Sequence, residues 1–199
     1  MQPALPGQIA LQAEFMVNNH QETHYTHAVH IDVDSGVYDC DCSEFVSFVL
    51  EAIVPRHFAT IGATSAPSRP LAGDYYAFFA SPALPSMGGW SQVQALAAAR
   101  RGDIIAWLLP IGTGNTGHVF FVADTPRLME SGEFAVRVYD SAQIPHYDDT
   151  RGDGENGVGT GFINFKVDSA GSPAEFQFGP SEPTWVGVPI AIGRVEPLG

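Results

Sequence analysis

Three residues of this chain have the type and the setting for nucleophilic chemistry at a carbonyl: Cys42, His118 and Asp140. A cysteine nucleophile needs a base within hydrogen-bond reach and a third polar group that orients the base. Cys42 follows the acidic, turn-prone run Tyr38-Asp39-Cys40-Asp41 and opens an apolar pattern in which Phe45, Val46, Val49, Leu50 and Ile53 share one helix face. Asp41 is placed to cap that helix, and the free N–H groups and dipole of its first turn favour a thiolate at Cys42. His118 starts an apolar strand directly after the loop Gly112-Thr113-Gly114-Asn115-Thr116-Gly117, a position where a ring can face a cleft while its neighbours build the core. Asp140 ends the run Val136-Arg137-Val138-Tyr139-Asp140, whose alternation puts Val136, Val138 and Asp140 on one face. A carboxylate closing an apolar face needs a partner, and His118 is that partner if the two strands adjoin. Each residue also has a purely structural reading: a small buried thiol, a strand-end histidine, an aspartate that starts a turn.

The elements that must position these residues change character along the chain. Helical patterns are predicted over residues 8–18, 42–53, 74–80 and 91–99, the second closed by Pro55. Strand patterns follow over 104–109, 118–123, 134–140, 162–167, 174–178 and 186–195. Loops are expected over 56–73, 81–89, 110–117 and the glycine- and aspartate-rich 148–161. Helices first and strands afterwards predict an α+β fold in one domain, residues 1–199, with a strand-rich C-terminal tail from about residue 148.

Further residues are candidates for supporting roles. Tyr38, four residues before Cys42, can help stabilise an oxyanion, line the pocket or simply pack. Trp107 can form a substrate wall or belong to the core, and His146 can contact substrate or sit on the surface. Cys40 lies before the helix and outside its field, and a disulfide to Cys42 one residue away would be strained. His20, His24, His27 and His30, at spacings of four, three and three, can place several imidazoles on one helix face as zinc ligands would be. Asp32-x-Asp34-x-Gly36 lacks the remaining ligands of a calcium loop and reads as a solvated turn.

Bulk properties set the frame. With 199 residues, 45% hydrophobic and 16% charged, the chain can build one full core. A net charge of −13 argues against nucleic acid and anionic lipid surfaces as partners and leaves a neutral or cationic peptide substrate open. No apolar run is long enough to span a membrane, and residues 1–13 show neither the basic start nor the apolar core of a secretory signal.

Three short blocks, taken in order, carry a resemblance. Asp41-Cys42-Ser43-x-Phe45-Val46, Gly102-Asp103-Ile104-Ile105-Ala106-Trp107 and Gly117-His118-Val119-Phe120-Phe121-Val122 resemble the NlpC/P60 family of cysteine peptidases. The resemblance implies a papain-like α+β fold, with the cysteine helix packed on an antiparallel sheet. It implies hydrolysis of an amide bond through a thioester, in peptides of the bacterial cell wall such as the peptidoglycan stem, and hence a periplasmic or secreted setting. It makes Cys42 the nucleophile, His118 the base and Asp140 the orienting group, with no metal and no cofactor. Glu44 departs from the family's glycine, and the tail from Asp148 has no counterpart in the minimal family domain. Two rival readings are an acyl transferase using the same triad and a non-catalytic, metal-binding module built on His20–His30 with a buried thiol.

Overall fold

The computed structural model describes residues 4–62, 69–84, 88–112 and 114–198. The loops expected over 56–73, 81–89 and 110–117 therefore fall partly outside the described residues. The fold is α+β, a helical part against a large antiparallel sheet.

Helix α1 (Leu5–Asn19) starts with a proline in its first turn, where the missing N–H costs nothing, and buries Ile9, Ala13, Met16 and Val17. A small three-stranded sheet follows, β1 (Glu22–His24), β2 (His30–Asp32) and β3 (Val37–Asp39), with β3 in the middle. β1 runs parallel to β3 and β2 antiparallel to it, so the stretch around the four histidines is sheet and turn instead of the helix face expected for metal ligands. Helix α2 (Cys42–Ile53) has the expected bounds, and its predicted apolar face is its buried face. Pro55 ends it by opening the one-turn helix α3 (Pro55–Phe58) within the stretch expected to be loop. Helix α4 spans Ala72–Phe79.

Among the described residues the large sheet has nine strands: β4 (Trp90–Gln92), β5 (Ile104–Leu108), β6 (Gly117–Val122), β7 (Arg127–Leu128), β8 (Phe134–Ala142), β9 (Gly157–Val167), β10 (Pro173–Gln177), β11 (Val186–Gly187) and β12 (Ile190–Val195). Their order is β11-β10-β9-β8-β6-β5-β12-β4, with β7 alongside β8. Gly187 and Ile190 lie three residues apart yet pair at the two ends of this order, with β10 and with β5. The sheet must curl until those ends approach, giving a half-barrel with two different faces. Inside, Ile105, Trp107, Phe120, Val122, Val136 and Val138 pack together; outside, Ile104, Ala106, Val119 and Phe121 meet the helices. Burying each such side chain is worth about 1.5–3 kcal/mol.

Three expectations are corrected. Residues 91–99 form strand β4 and a 3-10 turn (Leu96–Ala98), because the edge of β12 accepts the Val93 N–H at 3.0 Å and Val93 and Leu96 fill the inner face of the sheet. The run 186–195 is two strands, since Pro189 lacks the N–H to continue a ladder. The loop 148–161 ends early, at Gly157, where β9 begins pairing with β8.

Candidate active site

Cys42, His118 and Asp140 meet where the half-barrel opens beside the start of α2. Asp41 caps that helix through Oδ1, which accepts the Glu44 N–H at 2.9 Å and the Ser43 hydroxyl at 2.8 Å. The remaining first-turn N–H groups have no intrahelical acceptor, so Cys42 sits in their field. Glu44, the residue that adds a charge here, forms an ion pair with Arg69. The same guanidinium reaches Asp41 Oδ2 at 3.3 Å, and His27 Nδ1 approaches that oxygen at 2.8 Å. The acidic flank of α2 is thus counterbalanced locally.

His118 is delivered by β6. Gly117, at a φ of 142° open to glycine, lets the chain enter the strand with the Trp107 carbonyl against its α-carbon. β8 lies next to β6 with Phe121 opposite Tyr139, which puts Asp140 on the diagonal from His118 on the inner face. The His118 Nε2–Asp140 Oδ2 distance is 2.7 Å, and Cys42 lies close enough for its charge to act on the His118 ring. With Nε2 committed to Asp140, the nitrogen left for sulfur is Nδ1. Burial pulls the His118 pKa down, but the negative charge of Cys42 and the hydrogen bond to Asp140 outweigh it and raise it to about 9.

Asp140 has further partners. His146 Nε2 lies 2.8 Å from the same Oδ2, and Arg151 donates to Oδ1 at 3.0 Å. Burial would raise its pKa, but the charges of His146 and Arg151 and the two histidine hydrogen bonds hold the carboxyl well below the usual range. Arg151 is itself locked: it donates to both oxygens of Asp149 at 2.8 and 2.9 Å and to the Gly157 carbonyl at 2.8 Å. His146 Nδ1 faces the Phe178 carbonyl at 2.9 Å. His146 is therefore buried behind Asp140, neither a surface histidine nor part of the cavity lining, because every polar atom of its ring is taken up inside.

Trp107 does line the cavity that opens beside His118, its ring 5.2 Å from the imidazole. Tyr38 does not: it is fully buried on β3 in the helix-side core. The tyrosine at the site is Tyr25, which lines the cavity with its hydroxyl close enough to Cys42 to feel its charge. Parallel pairing of β1 with β3 puts it there, since the ladder continues with the Cys40 N–H on the His24 carbonyl at 3.1 Å. Burial, then the nearby charges of Cys42 and Asp41, raise the Tyr25 pKa and keep its hydroxyl a proton donor. Tyr25 and Arg151 were both missed. A tyrosine inside a histidine-rich run and an arginine inside an acidic loop carry no spacing signal that points to Cys42 or Asp140.

Cys40 is buried, and burial pushes its thiol up to about 12. Three of the four N-terminal histidines go to separate partners, His20 to the Val17 carbonyl, His24 to Asp39 and His27 to Asp41, and His30 is exposed. Among the described residues the group whose donor atoms converge within 4.8 Å is His118, Asp140 and His146. That donor set suits zinc. Its spacings of 2.7 and 2.8 Å are hydrogen bonds between nitrogen and oxygen, however, and Arg151 occupies the other carboxylate oxygen. No described helix is long and apolar enough to cross a membrane. The arrangement suits activation of a thiol by an oriented imidazole. Comparison with known protein families, with curated proteins and with solved structures found no match for this chain.

Proposed function

We propose that this protein is a thiol hydrolase that cleaves an amide bond through a thioester on Cys42, with a papain-like arrangement of nucleophile helix and sheet. One observation carries the reading. The His118 ring is hydrogen-bonded to the Asp140 carboxylate and lies within reach of the charge on Cys42, whose thiol sits in the first turn of a capped helix. Cys42 sulfur attacks the carbonyl carbon, and the oxyanion is met by first-turn N–H groups and the Tyr25 hydroxyl. His118 gives its proton to the leaving nitrogen as the C–N bond breaks. It then takes a proton from water, which adds to the thioester carbonyl and releases Cys42 as the C–S bond breaks. Asp140 keeps the ring aligned throughout.

Stem peptides of peptidoglycan are the first substrates to test, which would set the enzyme in a periplasm or outside the cell. An added amine acceptor distinguishes hydrolysis from acyl transfer by the product formed.

Iodoacetamide near pH 6 tests the nucleophile without a known substrate. Cys42 should be alkylated faster than free cysteine, Cys40 should stay unmodified, and His118→Ala should lose the advantage while remaining folded. Labelling of Cys42 no faster than the free thiol would refute the reading. Mass spectrometry of peptidoglycan fragments incubated with the wild type and Cys42→Ala then tests the substrate.

A further inference from the structure

The cavity beside His118 has a chemistry of its own. It holds about 510 Å³, within the usual size range of small-molecule sites. Its walls continue the inner core of the half-barrel. Trp107 lies flat on Phe176, ring centres 4.0 Å apart and planes at 14°, and the Phe178 ring stands edge-on 5.3 Å from His118. Leu109, Ile144 and Val186 extend the apolar surface, and Asn115, Gln143, Ser181 and Thr184 add uncharged polar groups to the lining. A concave apolar surface left open beside a reactive pair is a binding surface, since a closed core would have cost less.

Charge narrows the occupant further. Among the described residues no lysine or arginine lines the cavity, and the one carboxylate there is the exposed Glu182. The cations around it are already engaged: the His118 ring, cationic when protonated, is paired with Asp140, Arg151 is buried on Asp140 and Asp149, and Lys166 lies over the Trp185 ring at 4.3 Å and on Glu175. An anionic group entering here would lose its hydration with no counter-ion to replace it.

We infer that this cavity receives an uncharged apolar chain, alkyl or aromatic, attached at the scissile carbonyl, a substrate class that rests on the thiol-hydrolase reading. Specificity then lies in the C-terminal strands β10 and β11 and the segment between them, which supply Phe176, Phe178 and Val186. The reacting amide is held between Cys42 and Tyr25 while the chain runs along Trp107 into the half-barrel.

The test uses alkyl chloromethyl ketones whose carbonyl carries a methyl, butyl or octyl chain, with a further probe in which a carboxylate replaces the terminal methyl of the butyl chain. In each reaction Cys42 sulfur bonds the methylene carbon and chloride leaves with the C–Cl electron pair. The second-order rate at Cys42 should rise by up to about fourfold per added methylene until the cavity is full, the factor that matches burial of one CH₂. Free cysteine, measured in parallel, should show no such rise, and the carboxylate should cancel the gain. Val186→Asp and Ile144→Asp should each flatten the length dependence, with circular dichroism confirming the fold.

A fast reaction at Cys42 that is indifferent to chain length, or fastest with the carboxylate, would overturn the apolar chain and leave the thiol reading intact. A length-dependent rate no faster overall than free cysteine would keep the chain and overturn the thiol reading. Slow, length-independent labelling removes both.

Discussion

Both oxygens of Asp140 are in use, Oδ2 by His118 and His146 and Oδ1 by Arg151, and this decides how the site responds to pH. The His118 pKa stands at about 9, above its unfolded value near 6.5. Its protonation therefore stabilises the fold fully below about pH 6.5, and that contribution is lost as pH rises through about 9. Asp140 has the opposite sign: its contribution is present above the unfolded value near 3.8 and is lost only as pH falls through its lowered pKa. On the thiol-hydrolase reading His118 protonates the leaving nitrogen, so kcat/KM should hold toward pH 9 and fall above it. Asp140→Asn removes one source of the rise, so the alkaline limb should move to lower pH. A limb near 6.5 in the wild type, or one that Asp140→Asn leaves in place, would count against the pair. Tyr25 adds a neutral donor at the thiol, a role that the sequence pattern had offered to Tyr38.

At the scale of elements, the loop between β8 and β9 supplies the cation that holds Asp140. Arg151 threads from it between Asp140, Asp149 and the Gly157 carbonyl, lying against Gly159 of β9, where a β-carbon would displace it. Arg151→Ala leaves two buried carboxylates short of their cation, which should cost about 3–5 kcal/mol. Chemical denaturation should show that loss, and a change below about 1 kcal/mol would mean that His146 alone suffices. β12 offers a separate check of the sheet–helix contact. A β-carbon at Gly193 would meet the Phe79 ring of α4, so Gly193→Ala should destabilise by about 1–3 kcal/mol. Its effect on Cys42 alkylation should be small, because Gly193 lies on the β4 side of the sheet, away from β6 and β8.

Across the whole molecule, the curl of the sheet creates the site. It brings β10 and β11 round to the rim where β6 begins and β8 nears its end, so the C-terminal tail becomes one wall of the cavity next to His118. The net charge of −13 is not gathered at the thiol: Arg69 neutralises Glu44 and contacts Asp41, and Arg151 neutralises Asp140. Thiol and metal chemistry separate at this scale as well, since His118, Asp140 and His146 converge closely enough to be ligands. On the thiol reading, a chelator such as EDTA should leave hydrolysis and thermal stability unchanged, while iodoacetamide abolishes the activity. A chelator that lowers either one would indicate a metal at this triad.

The residues alone determined the local features. Periodicity and Asp41 set the bounds of α2, and alternation put Asp140 on the same face as Val136 and Val138. These are properties of neighbours in sequence, and 3.6- and 2-residue repeats report them directly. What only the tertiary structure decided depends on pairing between distant segments. The alanine-rich 91–99 lost its helix because the β12 edge and the sheet's inner face were there to receive it. Tyr25 reached Cys42 because β1 lies parallel to β3, and Arg151 reached Asp140 because β9 folds back on β8. His146 left the surface for the same reason. Nothing in their own spacing encodes those partners; a curled sheet that brings its two ends together does.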